Sequence, residues 1–227
     1  MDQSPALPYH DRQSKALHVW EKYRPFLEDQ SILDVGADRC YLKKHVSSPS
    51  SYYGVGRGGN CDQILDLETG VLPFKDDSYD CVVCLEVLEH LEALHAVFDE
   101  CCRVAKRHVI ISLPNAWSDI YLILRGAGYR PDLPLKFYGL PVQRPKDRHR
   151  WFFSLKEAKK FIRGRAELNG MQVLRMDEYG PQRETSLLGR LKGSILRSLL
   201  FKNSMIPTKD LFVFNLLAVL AKPETGN

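Results

Sequence analysis

The chain has 227 residues, 44% of them hydrophobic and 26% charged, with a formal net charge of +4 at pH 7. That is enough apolar material for one sizeable core and too little net charge to argue nucleic-acid binding by itself. Residues 1–29 are polar and charged, unlike a signal peptide, and the longest apolar run, Leu211 to Leu220, is about half of the roughly 20 residues a membrane span needs.

In chain order, Leu17, Trp20, Tyr23, Phe26 and Leu27 fall at helical spacing, so an amphipathic helix over about 11–28 is expected to pack on a sheet edge. Ser31 to Gly36 reads as a short strand ending in a tight turn, followed by a helix over about 38–46 that the Ser47-Ser48-Pro49-Ser50 cluster stops. Residues 52–55 form the next strand, 57–60 a loop, 63–66 a third strand and 79–85 a fourth, apolar enough to be buried on both faces. A helix over 88–104 and a fifth strand over 108–113 follow. After Pro114-Asn115 the pattern turns irregular through residue 150, with Pro131, Pro134, Pro141 and Pro145 and a basic end; loops of that length usually serve as lids or binding segments. A helix (155–169), a strand (171–179), a second helical stretch (186–202) and a final strand (211–221) close the chain. Alternating strands and helices with buried strands predict a doubly wound, mostly parallel α/β sheet.

Six cysteines invite a metal or disulfide reading. Cys81 and Cys84 make a C-x-x-C inside a strand, where positions three apart point to opposite faces. Cys101 and Cys102 are adjacent in a helix. Buried, reduced thiols of a cytoplasmic protein are the expectation, and no metal site is expected in the chain.

The most informative string is Leu65-Asp66-Leu67-Glu68-Thr69-Gly70-Val71-Leu72-Pro73-Phe74-Lys75-Asp76-Asp77-Ser78-Tyr79-Asp80, continuing as Cys81-Val82-Val83-Cys84-Leu85-Glu86-Val87-Leu88-Glu89-His90-Leu91. It resembles the middle of class I S-adenosylmethionine-dependent methyltransferases, in particular the small type 11 group. Their pattern there is Asp-Leu, a Leu-Pro-Phe turn, Asp/Asn-Ser-Phe/Tyr-Asp, a buried strand and Glu-x-Leu-Glu-His. The resemblance covers residues 30 to 115 well and the last strands loosely. It implies a Rossmann-like, seven-stranded sheet with an antiparallel last strand, an inserted lobe at 116–150 and an added segment at 181–209, within one methyltransferase domain spanning 1–227.

The resemblance also implies a cofactor, S-adenosyl-L-methionine, at the carboxyl ends of the strands. Asp34 and Gly36 stand where the family has Asp/Glu-x-Gly-x-Gly-x-Gly, but the next two glycine positions are Asp38 and Cys40. The ribose-binding acid after the second strand aligns with Gly56, beside Arg57, and Asp62 is a candidate substitute. Asp66 and Leu67 match the adenine-contacting pair, although Asp66 also suits a strand-ending cap. Leu85 matches the position against the methionine part of the cofactor. His90 and His149 are candidate general bases for a hydroxyl acceptor; equally, Glu86 and Glu89 suit a helix N-terminus and His90 a backbone hydrogen bond. Asn115, Tyr138, Arg148 and Trp151 are candidate acceptor contacts, the last two also readable as solvated rim and core.

The segment Ser186 to Lys202 carries basic residues between leucines and no acid, so an anionic membrane surface or a protein partner is expected there, or packing on its own domain. The expected activity is O-methylation of a small-molecule, sugar or lipid-linked acceptor, in the cytoplasm or peripherally on the inner face of a membrane, with no nucleic-acid partner. The missing glycines and ribose acid keep a second reading open, a methyltransferase-like binding or scaffold subunit without catalysis.

Overall fold

The computed structural model describes residues 8–47, 51–124, 139, 142–180 and 212–223, with side chains omitted for 121–124. Seven strands form one sheet in the order β3-β2-β1-β4-β5-β7-β6: β1 (Ile32–Val35), β2 (Tyr52–Gly56), β3 (Gln63–Ile64), β4 (Tyr79–Leu85), β5 (Ala105–Pro114), β6 (Gln172–Tyr179) and β7 (Asn215–Ala221). Strands β1 to β5 pair in parallel, and β7 runs antiparallel between β5 and β6. The expected doubly wound architecture with an antiparallel last strand is the one observed. Its order reverses between β1 and β4, the crevice where such sheets hold ligands.

Each sheet face has its own core. Val82 and Cys84 point with helices α2 (Leu94–Val104) and α4 (Leu155–Leu168) to one side, while Cys81 and Val83 point with α1 (Arg12–Lys22) to the other. The alternation that separates Cys81 from Cys84 is therefore realised, and all six cysteines are free thiols. Reciprocal capping boxes start two of the helices: Asp11 with Ser14 for α1 and Ser154 with Glu157 for α4. The Leu-Pro-Phe turn is pinned by Arg103, which donates to the Leu72 and Phe74 carbonyls and to the carboxylates of Asp76 and Glu100.

Several boundaries differ from the sequence-based expectation, among them the first helix, which ends at Lys22, the third strand, which ends at Ile64, and the last, which begins at Asn215. Instead of a helix over 38–46 there is a single 3-10 turn, Tyr41–Lys44, because Asp38 and Cys40 take left-handed backbone angles that break a helical ladder before it starts. The helix expected over 88–104 splits into a 3-10 turn at Leu88–His90, an extended Leu91 and then α2. Strand β5 begins at Ala105, directly on the end of α2. The stretch after Asn115 opens with a helix, α3 (Ala116–Leu124), where irregular chain was expected. Tyr138, most of the 116–150 lobe beyond α3 as far as residue 141, and the whole basic segment 186–202 lie outside the described residues.

Candidate active site

Where the sheet order reverses, a cavity of about 550 Å³ opens among residues from α1, the loop after β1, the end of β4, the start of α3, His149 and the residues entering β7. One wall is the loop Asp34 to Cys40. Its φ angles are +80° at Gly36, +49° at Asp38 and +52° at Cys40. These are the alternate positions the resemblance assigns to glycine. The backbone thus makes the glycine-type turns with two non-glycine residues, each at a cost of about 1–2 kcal/mol. Only Gly36 has no alternative: a Cβ there would stand 2.2 Å from Cγ2 of Val87. Asp38 is held by Arg12 at 2.5 Å, and the Cys40 thiol donates to the Asn60 carbonyl.

Asp34 is buried and accepts a hydrogen bond from the Tyr52 hydroxyl at 2.5 Å. Burial pushes its carboxyl up to about 6, against the opposing pull of that bond and of Lys15. The cavity floor carries an ion pair that sequence inspection missed. Lys15, buried on α1, reaches Glu86 at 2.8 Å, and Asn215 of β7 donates to the same carboxylate oxygen. Glu86 ends β4 with a left-handed φ of 53°. No local pattern announces Lys15, because its partner lies 71 positions away; helical periodicity marks it only as an outward residue.

The cavity is also lined by Glu89, His90 and His149. Glu89 is 1% exposed, and burial, with Glu86 nearby, pushes its carboxyl up to about 8. The two imidazoles meet edge to face, with centroids 4.6 Å apart. Asp147 stands 2.8 Å from Nδ1 of His90, and Arg150 ties the segment down by donating to the Glu89 and His90 carbonyls. Thus His90 and His149, 59 positions apart in the chain, are brought together with Glu89, which the sequence suggested only as a helix-start acid.

The remaining expected residues lie elsewhere. Gly56, Arg57, Asp66 and Leu67 do not line the cavity. Asp66 caps the 3-10 turn that follows it by accepting from the Glu68 amide, Leu67 is core, and Arg57 approaches Asp66 at 3.8 Å and Glu68 at 3.6 Å. Asp62 spends both carboxylate oxygens on Lys43 and the Gly54 amide, so it holds the β2–β3 connection rather than standing free for a ribose. Asn115 is buried and donates to the Val213 carbonyl, which turns it away from an acceptor. The Trp151 indole donates to the Leu91 carbonyl and packs on His95, a core role. Arg148 is exposed.

Residues 54–113 match the family described as methyltransferase domain. Over that stretch the chain is similar to a methyltransferase domain. Comparison by sequence with curated proteins gives no match. By structure, the chain has the fold of a SAM-dependent methyltransferase from Archaeoglobus fulgidus, with 17% identity over 93% of this chain and 95% of that one and a TM-score of 0.58. It is also similar to the magnesium protoporphyrin IX methyltransferase of Synechocystis PCC 6803, solved with SAH bound (15%, 93% and 83%, TM-score 0.51). A third similar structure, the cyclase SpnF (12%, 97% and 88%, TM-score 0.55), shows that this fold also hosts other chemistry. Among the described residues no helix is long and apolar enough to cross a membrane.

Proposed function

We propose that the chain transfers a methyl group from S-adenosylmethionine to an oxygen of a small-molecule, sugar or lipid-linked acceptor. The observation that carries the reading is the loop Asp34 to Cys40: it keeps left-handed turns at all three glycine positions, facing a cavity large enough for a small ligand. The residues fit the group. The loop backbone and Leu85 line one side, and Asp34 and Glu86 supply carboxylates for a cationic amino group.

The cofactor supplies an electrophilic methyl group, so the protein's task is to hold the acceptor oxygen in line with it. Here that task falls to Glu89, His90 and His149, which line the same cavity as the loop. The Lys15–Glu86 pair fixes the end of β4 there. Arg148, exposed beside His149, and Tyr138 remain proposed acceptor contacts, and Gly56, Arg57, Asp66 and Leu67 proposed contacts on the adenosine side. The basic segment 186–202 is proposed as the contact to an anionic surface or partner.

The rival, a non-catalytic binding subunit, draws on the adenosine side, where Gly56 offers no carboxylate and Arg57 lies against Asp66 and Glu68. Calorimetric titration with S-adenosylmethionine and S-adenosylhomocysteine decides between them. Micromolar binding weakened at least tenfold by Gly36→Ala/Val87→Ala supports the enzyme. No binding by a folded sample refutes it.

A further inference from the structure

We propose that Glu89, His90 and His149 form a site for a divalent transition-metal ion at the acceptor wall of the cavity. One ligand atom from each lies within 4.8 Å of the other two. The Glu89 carboxylate is 3.7 Å from Nε2 of His90 and 4.0 Å from Nε2 of His149. An ion with bonds of about 2.1 Å keeps neighbouring ligand atoms about 3.0–3.4 Å apart. The two pairs to Glu89 therefore need to close by about 0.3–1.0 Å, and the two histidine ligand atoms, within 4.8 Å of each other, by up to about 1.8 Å, which rotation of both rings toward a shared ion would have to supply.

An independent observation points the same way. The second carboxylate oxygen of Glu89, on a side chain only 1% exposed, has no hydrogen-bond partner among the described residues. A buried, orphaned carboxylate oxygen is costly and calls for a cation. The surrounding groups match a metal site as well. Asp147 lies 2.8 Å from Nδ1 of His90, within reach of the carboxylate–histidine arrangement common behind metal ligands, while Nε2 of that ring lies on the Glu89 side. Two imidazoles and one carboxylate favour a borderline ion such as Mn²⁺, Fe²⁺, Co²⁺ or Zn²⁺ over Mg²⁺ or Ca²⁺. The expectation of no metal in the chain was argued from the cysteines and did not weigh this cluster. Its three members come from one 3-10 turn and a distant loop, with no metal-binding spacing in the chain.

Such an ion would leave coordination positions open toward the cavity. Resting on the methyl-transfer reading, the structure then selects an acceptor whose oxygen coordinates the ion. The coordinated hydroxyl loses its proton to solvent water, its oxygen forms a bond to the methyl carbon, and the carbon–sulfur bond breaks with its electron pair remaining on sulfur. The ion, rather than a free imidazole, then acidifies the hydroxyl.

The test is titration of EDTA-treated, dialysed full-length protein with MnCl₂, CoCl₂, ZnCl₂ and MgCl₂, without cofactor. One equivalent of Mn²⁺, Co²⁺ or Zn²⁺ binding at micromolar Kd, with Mg²⁺ at least tenfold weaker, is expected. His149→Ala and Glu89→Gln should each weaken binding more than a hundredfold. Asp147→Asn, which removes only the orienting carboxylate, should weaken it about tenfold or more. His10→Ala, an exposed histidine far from the cluster in role, should leave it unchanged. If a variant fails to fold, Mn²⁺ broadening of the His90 and His149 ring signals in the unaltered protein gives the answer. Absence of binding up to millimolar metal, or binding indifferent to Glu89 and His149, overturns the site. A parallel S-adenosylhomocysteine titration in EDTA reports the cofactor reading separately, so either can fail without the other.

Discussion

Gly36→Ala is the substitution whose cost is best defined by the structure. The position has φ +80°, and an added Cβ would overlap Cγ2 of Val87 at 2.2 Å and Cγ1 at 3.0 Å. Left-handed backbone for alanine costs about 1–2 kcal/mol, and an overpacked contact adds about 1–3 kcal/mol. The expected loss is about 2–5 kcal/mol, a large part of the stability of a domain this size. The two parts separate because Val87 is the sole side chain an added Cβ is shown to meet. In Gly36→Ala/Val87→Ala the contacts with Cγ2 and Cγ1 disappear and the Cβ of residue 87 stays at 3.2 Å, so most of the steric part is relieved and the backbone part, about 1–2 kcal/mol, remains beyond the cost of Val87→Ala alone. Urea denaturation of wild type, both singles and the double completes the cycle, with a coupling energy of about 1–3 kcal/mol expected between the two sites. A Gly36→Ala loss below about 0.5 kcal/mol, or zero coupling with Val87→Ala, would refute the reasoning.

Three other outcomes follow from the same geometry. Asp38→Gly should stabilise by roughly 0.5–1 kcal/mol, because relief of left-handed strain exceeds the loss of an exposed Arg12 pair; destabilisation in a thermal melt would mean Asp38 carries more than that pair. Asp34, whose folded carboxyl is raised from 3.8 to about 6, keeps its proton in the folded state over a pH range where the unfolded chain has lost it. Its contribution is therefore full below about pH 4 and falls by about 3 kcal/mol as pH rises to 6. Asp34→Asn should flatten that part of the stability profile, and an unchanged slope would count against a buried, protonatable Asp34. Arg103→Ala should cost about 2–3 kcal/mol by unpinning the Leu-Pro-Phe turn from α2, visible as faster hydrogen exchange at residues 72–77.

Much of the fold was legible because strand burial and turn chemistry are local. Val82 and Val83 read as a two-sided buried strand from their own neighbours, and the structure places them on opposite cores. The failures sit where backbone angle overrides propensity. The residue types of Asp38-Arg39-Cys40 do not themselves call for left-handed backbone, and the glycine positions of the resemblance, which do, were outweighed by helical propensity, so a helix was expected there. For the site, the string through His90 brought attention to the right wall, and His149 was found by its residue type. Lys15, Asn215 and the grouping of Glu89 with the two histidines were not legible, because each gains its meaning from a partner that only the sheet order brings near.

The degenerate glycine loop is the point on which sequence and structure pull apart most usefully. Read as letters, Asp38 and Cys40 in place of glycine suggest lost cofactor binding. Read as backbone, the loop keeps the conformation and accepts the strain, holding Asp38 through Arg12 and Cys40 through Asn60. Strain of this kind persists only where surrounding contacts over-determine the geometry, and it gathers at functional sites. A scaffold that had abandoned the cofactor would gain stability by relaxing either residue toward ordinary angles, or by replacing it with glycine. The strained loop lines the same cavity as a buried carboxylate with an unpartnered oxygen among the described residues. Two costly features in one crevice, neither needed to close the sheet, argue for a working site rather than a vestige.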